Sequence, residues 1–203
     1  MFTKSLLQRL YLVEKHSVAE IAKRTGCSQG QVNYWLKKFE IPKRSISDAV
    51  YQKWNPLGDP FVVRQPKTLQ KAVLYGLGLG LYWGEGTKSN RTTLRLGNTD
   101  PRLIRTFIRF LDELYGVKKH KLKFGLQIFS DMPPKEALGF WRKFLKVSPR
   151  QFHKVIVTPA RSLGTYRYKT KHGVLTIYFN NRKLRDIICQ AIEDIDGVLS
   201  KPL

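Results

Sequence analysis

The chain has 203 residues, room for one ordinary domain plus a small one. Its hydrophobic content of 42% supplies a core and excludes general disorder. The formal net charge of +22, from 37 Lys and Arg against 15 Asp and Glu, far exceeds the roughly 2–8 that solubility asks of a small domain, so a polyanion is the expected partner.

At the N-terminus, Met1 to Lys4 lack an apolar signal core and a small-residue cleavage site. The longest apolar stretch, Val73 to Trp83, is shorter than the about 20 residues of a membrane span and contains three glycines. Cys27 and Cys189 stand far apart in no metal-ligand spacing. The expectation is a cytoplasmic, nucleoid-associated protein without a membrane segment or a small-molecule cofactor.

Residues 5–41 carry two capping boxes, Ser17-Val18-Ala19-Glu20 and Ser28-Gln29-Gly30-Gln31, separated by Gly26-Cys27. Val18, Ile21 and Ala22 form one helical apolar stripe, and Val32, Trp35, Leu36 and Phe39 the next. Gly26 sits where a tight turn needs positive φ. An earlier helix over about Leu6 to Glu14 completes a three-helix core. This arrangement resembles the helix-turn-helix motif, whose second helix enters the major groove. With the core filled, Gln29, Gln31, Asn33, Tyr34, Lys37 and Lys38 remain to face DNA; Asn and Gln read adenine edges and Lys reads guanine or phosphate. Pro42 stops the helix. Lys43 and Arg44 after it either reach the backbone or minor groove or stand as a solvated basic tail.

Residues 1–45 thus form the predicted reader, 46–67 a linker and 68–203 a larger domain. The linker holds Pro56, Gly58, Asp59, Pro60 and Pro66, with room for a short helix over Ser47 to Lys53.

Thr68 to Gly86 reads as an N-capped helix, apolar all round and therefore buried. Gly76, Gly80 and Gly84 recur every fourth residue on one face. Each glycine inside a helix costs about 1 kcal/mol relative to alanine, so the stripe calls for a compensating close approach by another helix. Glu85 follows at the negative end of the helix dipole. A divalent cation would reverse the sign of that interaction, which makes Glu85 the best metal-ligand candidate in an acid-poor chain; the competing reading is an exposed surface glutamate. Gly86 then stands as the C-cap.

The run Gly80-Leu81-Tyr82-Trp83-Gly84-Glu85-Gly86 resembles a divergent LAGLIDADG motif. Glu85 takes the acidic position, Gly86 the last glycine, Gly80 the internal glycine and Gly84 the usual alanine, while Trp83 replaces the first aspartate. The resemblance, over about 68–195, implies an α+β domain of αββαββα order with a saddle-shaped sheet. It also implies helices packed in pairs through small residues and a Mg²⁺ bound at Glu85 and the Gly84 carbonyl.

The remaining pattern is compatible with that order. Thr92 to Leu96 alternates as a strand. Asp100-Pro101 starts a helix over Arg102 to Tyr115 closed by Gly116, so Asp100 is structural. Lys121 to Phe129 alternates, with Leu122, Phe124, Leu126 and Ile128 on one face and Lys121, Lys123 and Gln127 on the other. Pro134 to Val147 is a helix, Lys154 to Thr158 is extended, and Tyr166 to Lys171 pairs with Val174 to Phe179 in a hairpin around His172-Gly173. Leu184 to Ile195 closes the domain. Lys88, Arg91, Arg95, Arg167, Lys169 and Lys171 join the basic face expected to meet a duplex. Only Thr87 to Arg91 lie between Gly86 and the first strand, so the first hairpin must be very short.

One copy of the motif implies a homodimer joined at Gly76, Gly80 and Gly84. The expected activity is sequence-specific, Mg²⁺-dependent cleavage of double-stranded DNA by a LAGLIDADG-type homing endonuclease. Glu85, Lys123 and Gln127 are its catalytic candidates, with Lys88 and Lys154 as further choices for the charge-stabilising group. A non-cleaving transcriptional regulator on the same scaffold is the alternative, favoured by Trp83, Glu85 and the short hairpin; a maturase binding intron RNA is a third reading. His16, His120, His153 and His172 have no paired spacing, and no Walker-type loop occurs.

Overall fold

Side-chain caps set most helix starts. In the computed structural model, which describes residues 2–160 and 170–199, Thr3 accepts the Leu6 amide and opens α1 (Lys4–Gln8). That helix widens into a π-turn over Arg9–Val13, where a single helix to Glu14 is expected. Ser17 and Ser28 close reciprocal capping boxes with Glu20 and Gln31 at the starts of α2 (Val18–Thr25) and α3 (Gln29–Lys38). Gly26 ends α2 at φ 68°, a left-handed position that favours glycine. Leu7, Leu10, Tyr11, Ile21, Val32 and Leu36 lead the core these helices share. Leu36 rather than Trp35 fills its centre; Trp35 is half-buried and stacks on Phe39 at 5.2 Å.

The short helix expected over Ser47 to Lys53 within the linker is present. Ser45 caps α4 (Ile46–Trp54), none of whose residues is buried. The chain divides into two compact units at Pro60–Phe61. Phe61 belongs to the core of the second unit, and Val62 and Arg64 donate their amides to the Tyr115 and Leu114 carbonyls at 2.9 and 2.8 Å.

The second unit is mixed α+β. Its elements run α5 (Leu69–Glu85), β1 (Leu94–Asn98), α6 (Pro101–Tyr115), β2 (Lys123–Phe129), α7 (Pro134–Leu145), β3 (Ile156–Thr158), β4 (Val174–Phe179) and α8 (Arg182–Leu199). Asp100 accepts the Arg102 amide at 2.8 Å with Pro101 in the first turn, which makes it a helix cap. Those hydrogen bonds, the Arg102 amide first, hold the Asp100 carboxyl below its ordinary range. The sheet order is β1-β4-β2-β3, antiparallel except for the parallel pair β2·β3.

Two features depart from a plain αββαββα order. The first hairpin shrinks to a bridge, Gly86 opposite Leu96, with the Thr87 amide donating to the Arg95 carbonyl at 3.0 Å. Helix α7 also stands between β2 and β3, so β3 runs parallel to β2. Lys121 closes a 3-10 turn (Lys119–Lys121) ahead of β2, so it is not on the strand face where alternation places it. Of the expected hairpin, β4 is present; Arg167 and Lys169 lie outside the described residues.

Alternation in the strands divides the sheet cleanly. Leu94, Leu96, Phe124, Leu126, Ile128, Leu175 and Ile177 are buried in the core shared with the helices. Among the described residues no helix is long and apolar enough to cross a membrane.

Helix α5 owes its seat to Gly78. A Cβ there would come within 2.2 Å of the Phe110 ring on α6, so the helices meet over a bare backbone. Gly78→Ala should therefore lower stability by about 1–3 kcal/mol through overpacking, read as a fall of several degrees in the calorimetric melting of the second unit. An unchanged melting temperature would mean that Phe110 moves aside freely.

Candidate nucleic-acid interface and metal site

The face of the sheet turned from the core presents a short polar grid. Arg95, Tyr178 and Lys123 stand directly opposite one another across β1, β4 and β2, and Gly97, Thr176 and Gly125 form the next row. The Arg95 guanidinium lies 5.3 Å from the Tyr178 ring centre and the His153 ring meets Tyr178 edge-on at 5.4 Å. A Cβ on Gly125 would approach the Tyr178 ring to 2.9 Å, so the tyrosine lies over a glycine. Lys123 donates to the Arg150 carbonyl at 3.1 Å and Gln127 to the Thr158 hydroxyl at 3.0 Å. Lys88, Arg91, Lys121, Lys154 and Lys171 are exposed in turns and loops flanking the strands. Such cations suit phosphate contacts.

Glu85 ends α5 fully at the surface, and among the described residues no hydrogen bond or ion pair ties down its carboxylate. Gly86 is required by space rather than by handedness. It is extended (φ −75°, ψ 140°), and a Cβ would strike the Tyr82 carbonyl oxygen at 2.3 Å. The Lys88 ammonium donates to the Trp83 carbonyl in the last helical turn, where orphan carbonyls concentrate negative charge. Tyr82 beneath is fully buried and stacks on Phe107 at 6.0 Å. Burial first, and the neighbouring Cys189 next, push its hydroxyl up to about 12.

The bridge at Gly86 and Leu96 brings the backbone at Lys88 and Arg95 close to the Glu85 end of α5, whereas Lys123 and Gln127 lie on β2, apart from it. Gly86 abuts the free side of β1, while β2 lies beyond β4, so three strand spacings of ~4.8 Å intervene within one chain. Among the described residues no group of three or more His, Cys, Asp or Glu side chains gathers to hold a metal. What one chain offers at this point is the Glu85 carboxylate and the Gly84 carbonyl. Both are hard oxygen donors of the kind Mg²⁺ takes one or two at a time alongside phosphate, so their chemistry fits a partial Mg²⁺ ligand set.

Helix α5 is not buried on all sides. Gly76, Gly80 and Gly84 are exposed, and an added Cβ at each meets nothing within 4 Å. Leu69, Val73, Leu77 and Trp83 beside them are 49% to 81% exposed. The fourth glycine of the run, Gly78, is the one spent inside the chain.

In the first unit, the exposed face of α3 carries Gln29, Tyr34, Lys37 and Lys38, with Asn33 half-exposed. Lys38 sits 4.8 Å from the Trp35 ring. Gln31, also exposed, takes part in the helix cap: its Oε1 accepts the Ser28 amide at 3.0 Å. Lys43 is exposed. Arg44 is likewise committed and does not extend as a basic tail. Its guanidinium covers the Tyr11 ring at 4.3 Å and donates to the Lys15 and His16 carbonyls and to Gln52. No local pattern marks that role, nor the roles of Tyr178, His153 and Arg150 on the outer sheet face. Tyr178 was legible only as the outward position of a strand.

No protein-family model, curated protein or solved structure matches the chain.

Gln31→Ala and Asn33→Ala should separate the two duties of α3. The first removes half of a capping box and should cost about 1 kcal/mol of first-unit stability, read by Trp35 fluorescence in urea. The second should leave that transition in place and weaken duplex binding, measured by fluorescence anisotropy.

Proposed function

We propose that the chain is a homodimeric, Mg²⁺-dependent DNA endonuclease of the LAGLIDADG type, with an N-terminal helix-turn-helix that grips flanking sequence. The observation that carries this reading is helix α5. It presents an open glycine stripe with exposed apolar neighbours and ends on an untethered carboxylate beside a cationic sheet face. A second copy laid along Gly76, Gly80 and Gly84 covers that face and brings two Glu85 carboxylates together near a two-fold axis. Phosphate contacts come from Arg95, Lys123 and the surrounding lysines, and base contacts from Asn33, Gln29 and Lys37 on α3.

Within this reading Glu85 and the Gly84 carbonyl would hold a Mg²⁺ ion, which would supply the positive charge for polarising a phosphodiester and easing deprotonation of water. Lys88 and Arg95, whose backbone lies close to the same end of α5, offset the charge that develops on the phosphate oxygens. Lys123 and Gln127 serve the duplex further across the sheet.

The regulator reading draws on one observation: the first hairpin is a single bridge, which leaves little ribbon to read a long site. Cleavage of a randomised duplex library with Mg²⁺ and with EDTA separates the two. Wild type should cut at one site, and Glu85→Gln should lose at least roughly 100-fold, the upper end of what even outer-shell changes around metals cost, while still retaining duplexes. Retention without cutting by wild type would sink the endonuclease and leave the regulator.

The dimer has its own test. Gly80→Leu meets open space within the chain and replaces a poor helix former, so the monomer should gain up to ~1 kcal/mol. Its mass in sedimentation should nevertheless fall from dimer to monomer. A dimer that survives this change does not use the glycine stripe.

A further inference from the structure

The segment that leaves α5 is held from several sides. The Gly86 amide donates to the Tyr82 carbonyl at 2.9 Å and the Thr87 amide to the Arg95 carbonyl at 3.0 Å. The Tyr82 hydroxyl reaches the Thr87 carbonyl at 3.4 Å. From α8, 97 residues further along the chain, the Arg185 Nη2 donates to the Lys88 carbonyl at 2.6 Å. Lys88 is thus fixed at both ends, since its ammonium donates to the Trp83 carbonyl.

Arg185 is a costly choice for that position. Its side chain is only 15% exposed. The Nη1 is paired with Asp186 at 2.9 Å, but its Nε is buried with no hydrogen-bond partner among the described residues. A buried N–H left unpaired is destabilising, and an apolar residue of similar volume would fill the same space without that cost. Packing alone therefore does not account for arginine here. The guanidinium faces the Tyr82 hydroxyl, and its Nη2 immobilises the backbone of Lys88, three residues after Glu85.

We infer that Arg185 is a positioning residue that holds Lys88 as a preorganised phosphate contact at the Glu85 end of α5. The inference rests on the DNA-binding reading above. A lysine on an unsupported loop loses side-chain and loop freedom when it meets a phosphate, and one already pinned loses less. Arg185 itself does not touch the nucleic acid.

The test uses the full chain and a random-sequence duplex in EDTA, with affinity followed against salt. Lys88→Gln should weaken binding several-fold and lower the slope of log K against log salt by about one. Arg185→Gln should weaken binding by a comparable factor, and the double variant should bind no worse than Lys88→Gln alone. Effects that multiply in the double variant would overturn the inference, because a general structural defect adds to the loss of Lys88 whereas an action through Lys88 does not. Arg185→Lys keeps the charge but not the fork, and should fall between wild type and Arg185→Gln. Amide exchange gives a readout independent of DNA. Exchange at Thr87 should quicken in Arg185→Gln and stay unchanged in Lys88→Gln; equal protection in all variants would overturn the positioning role. A wild-type chain that binds no duplex would remove the functional reading and leave exchange to decide whether Arg185 orders the segment.

Discussion

Helix α5 must satisfy two packing demands with one surface. Toward its own unit it needs Gly78, because Phe110 occupies the volume a side chain would take. On the opposite side it carries three more glycines, and among the described residues nothing fills the space beside them. A helix with four interior glycines is weak by propensity, at about 1 kcal/mol each, so its order must come from burial. The inner face gains that burial from Leu74, Leu79 and Tyr82. The outer face has little among the described residues, and the dimer proposal follows from that imbalance rather than from the motif alone.

The same helix links stability to charge. Its C-terminal turn concentrates carbonyl oxygens and ends in a carboxylate, a combination the helix dipole disfavours. Lys88 offsets part of this by donating to the Trp83 carbonyl. The sheet then continues the cationic surface through Arg95 and Lys123 on either side of Tyr178. In a chain with net charge +22, the carboxylate at this point stands out because its surroundings are so uniformly basic.

Local chemistry was legible in the sequence. Both serine capping boxes, the Asp100-Pro101 helix start and the left-handed Gly26 and Gly116 stand as their residues dictate. So does the inward and outward alternation of β1, β2 and β4. Non-local pairing was not legible. Nothing in Ile156-Val157-Thr158 says that it runs parallel to β2, and nothing in Val174 to Phe179 says that β4 inserts between β1 and β2. The glycines were legible as a group and not individually: spacing singles out Gly76, Gly80 and Gly84, but only the position of Phe110 shows why Gly78 is there. Arginines were the least legible residues. Arg44, Arg64 and Arg185 each donate to backbone carbonyls well separated along the chain, and such contacts leave no periodicity to read.

The strap from Phe61 to Arg64 bears on how the two units were joined. Phe61 lies in the second unit's core, and the Arg64 guanidinium donates to the Asp112 and Glu113 carbonyls, closing the end of α6 over Gly116. A break at Lys67, where composition alone places the boundary, would strip α6 of that seal and expose a core aromatic slot. A break at Pro60 spares both. The portable module is therefore the second unit with its strap attached, and a cut that frees the first unit has one tolerant seam, just ahead of Phe61.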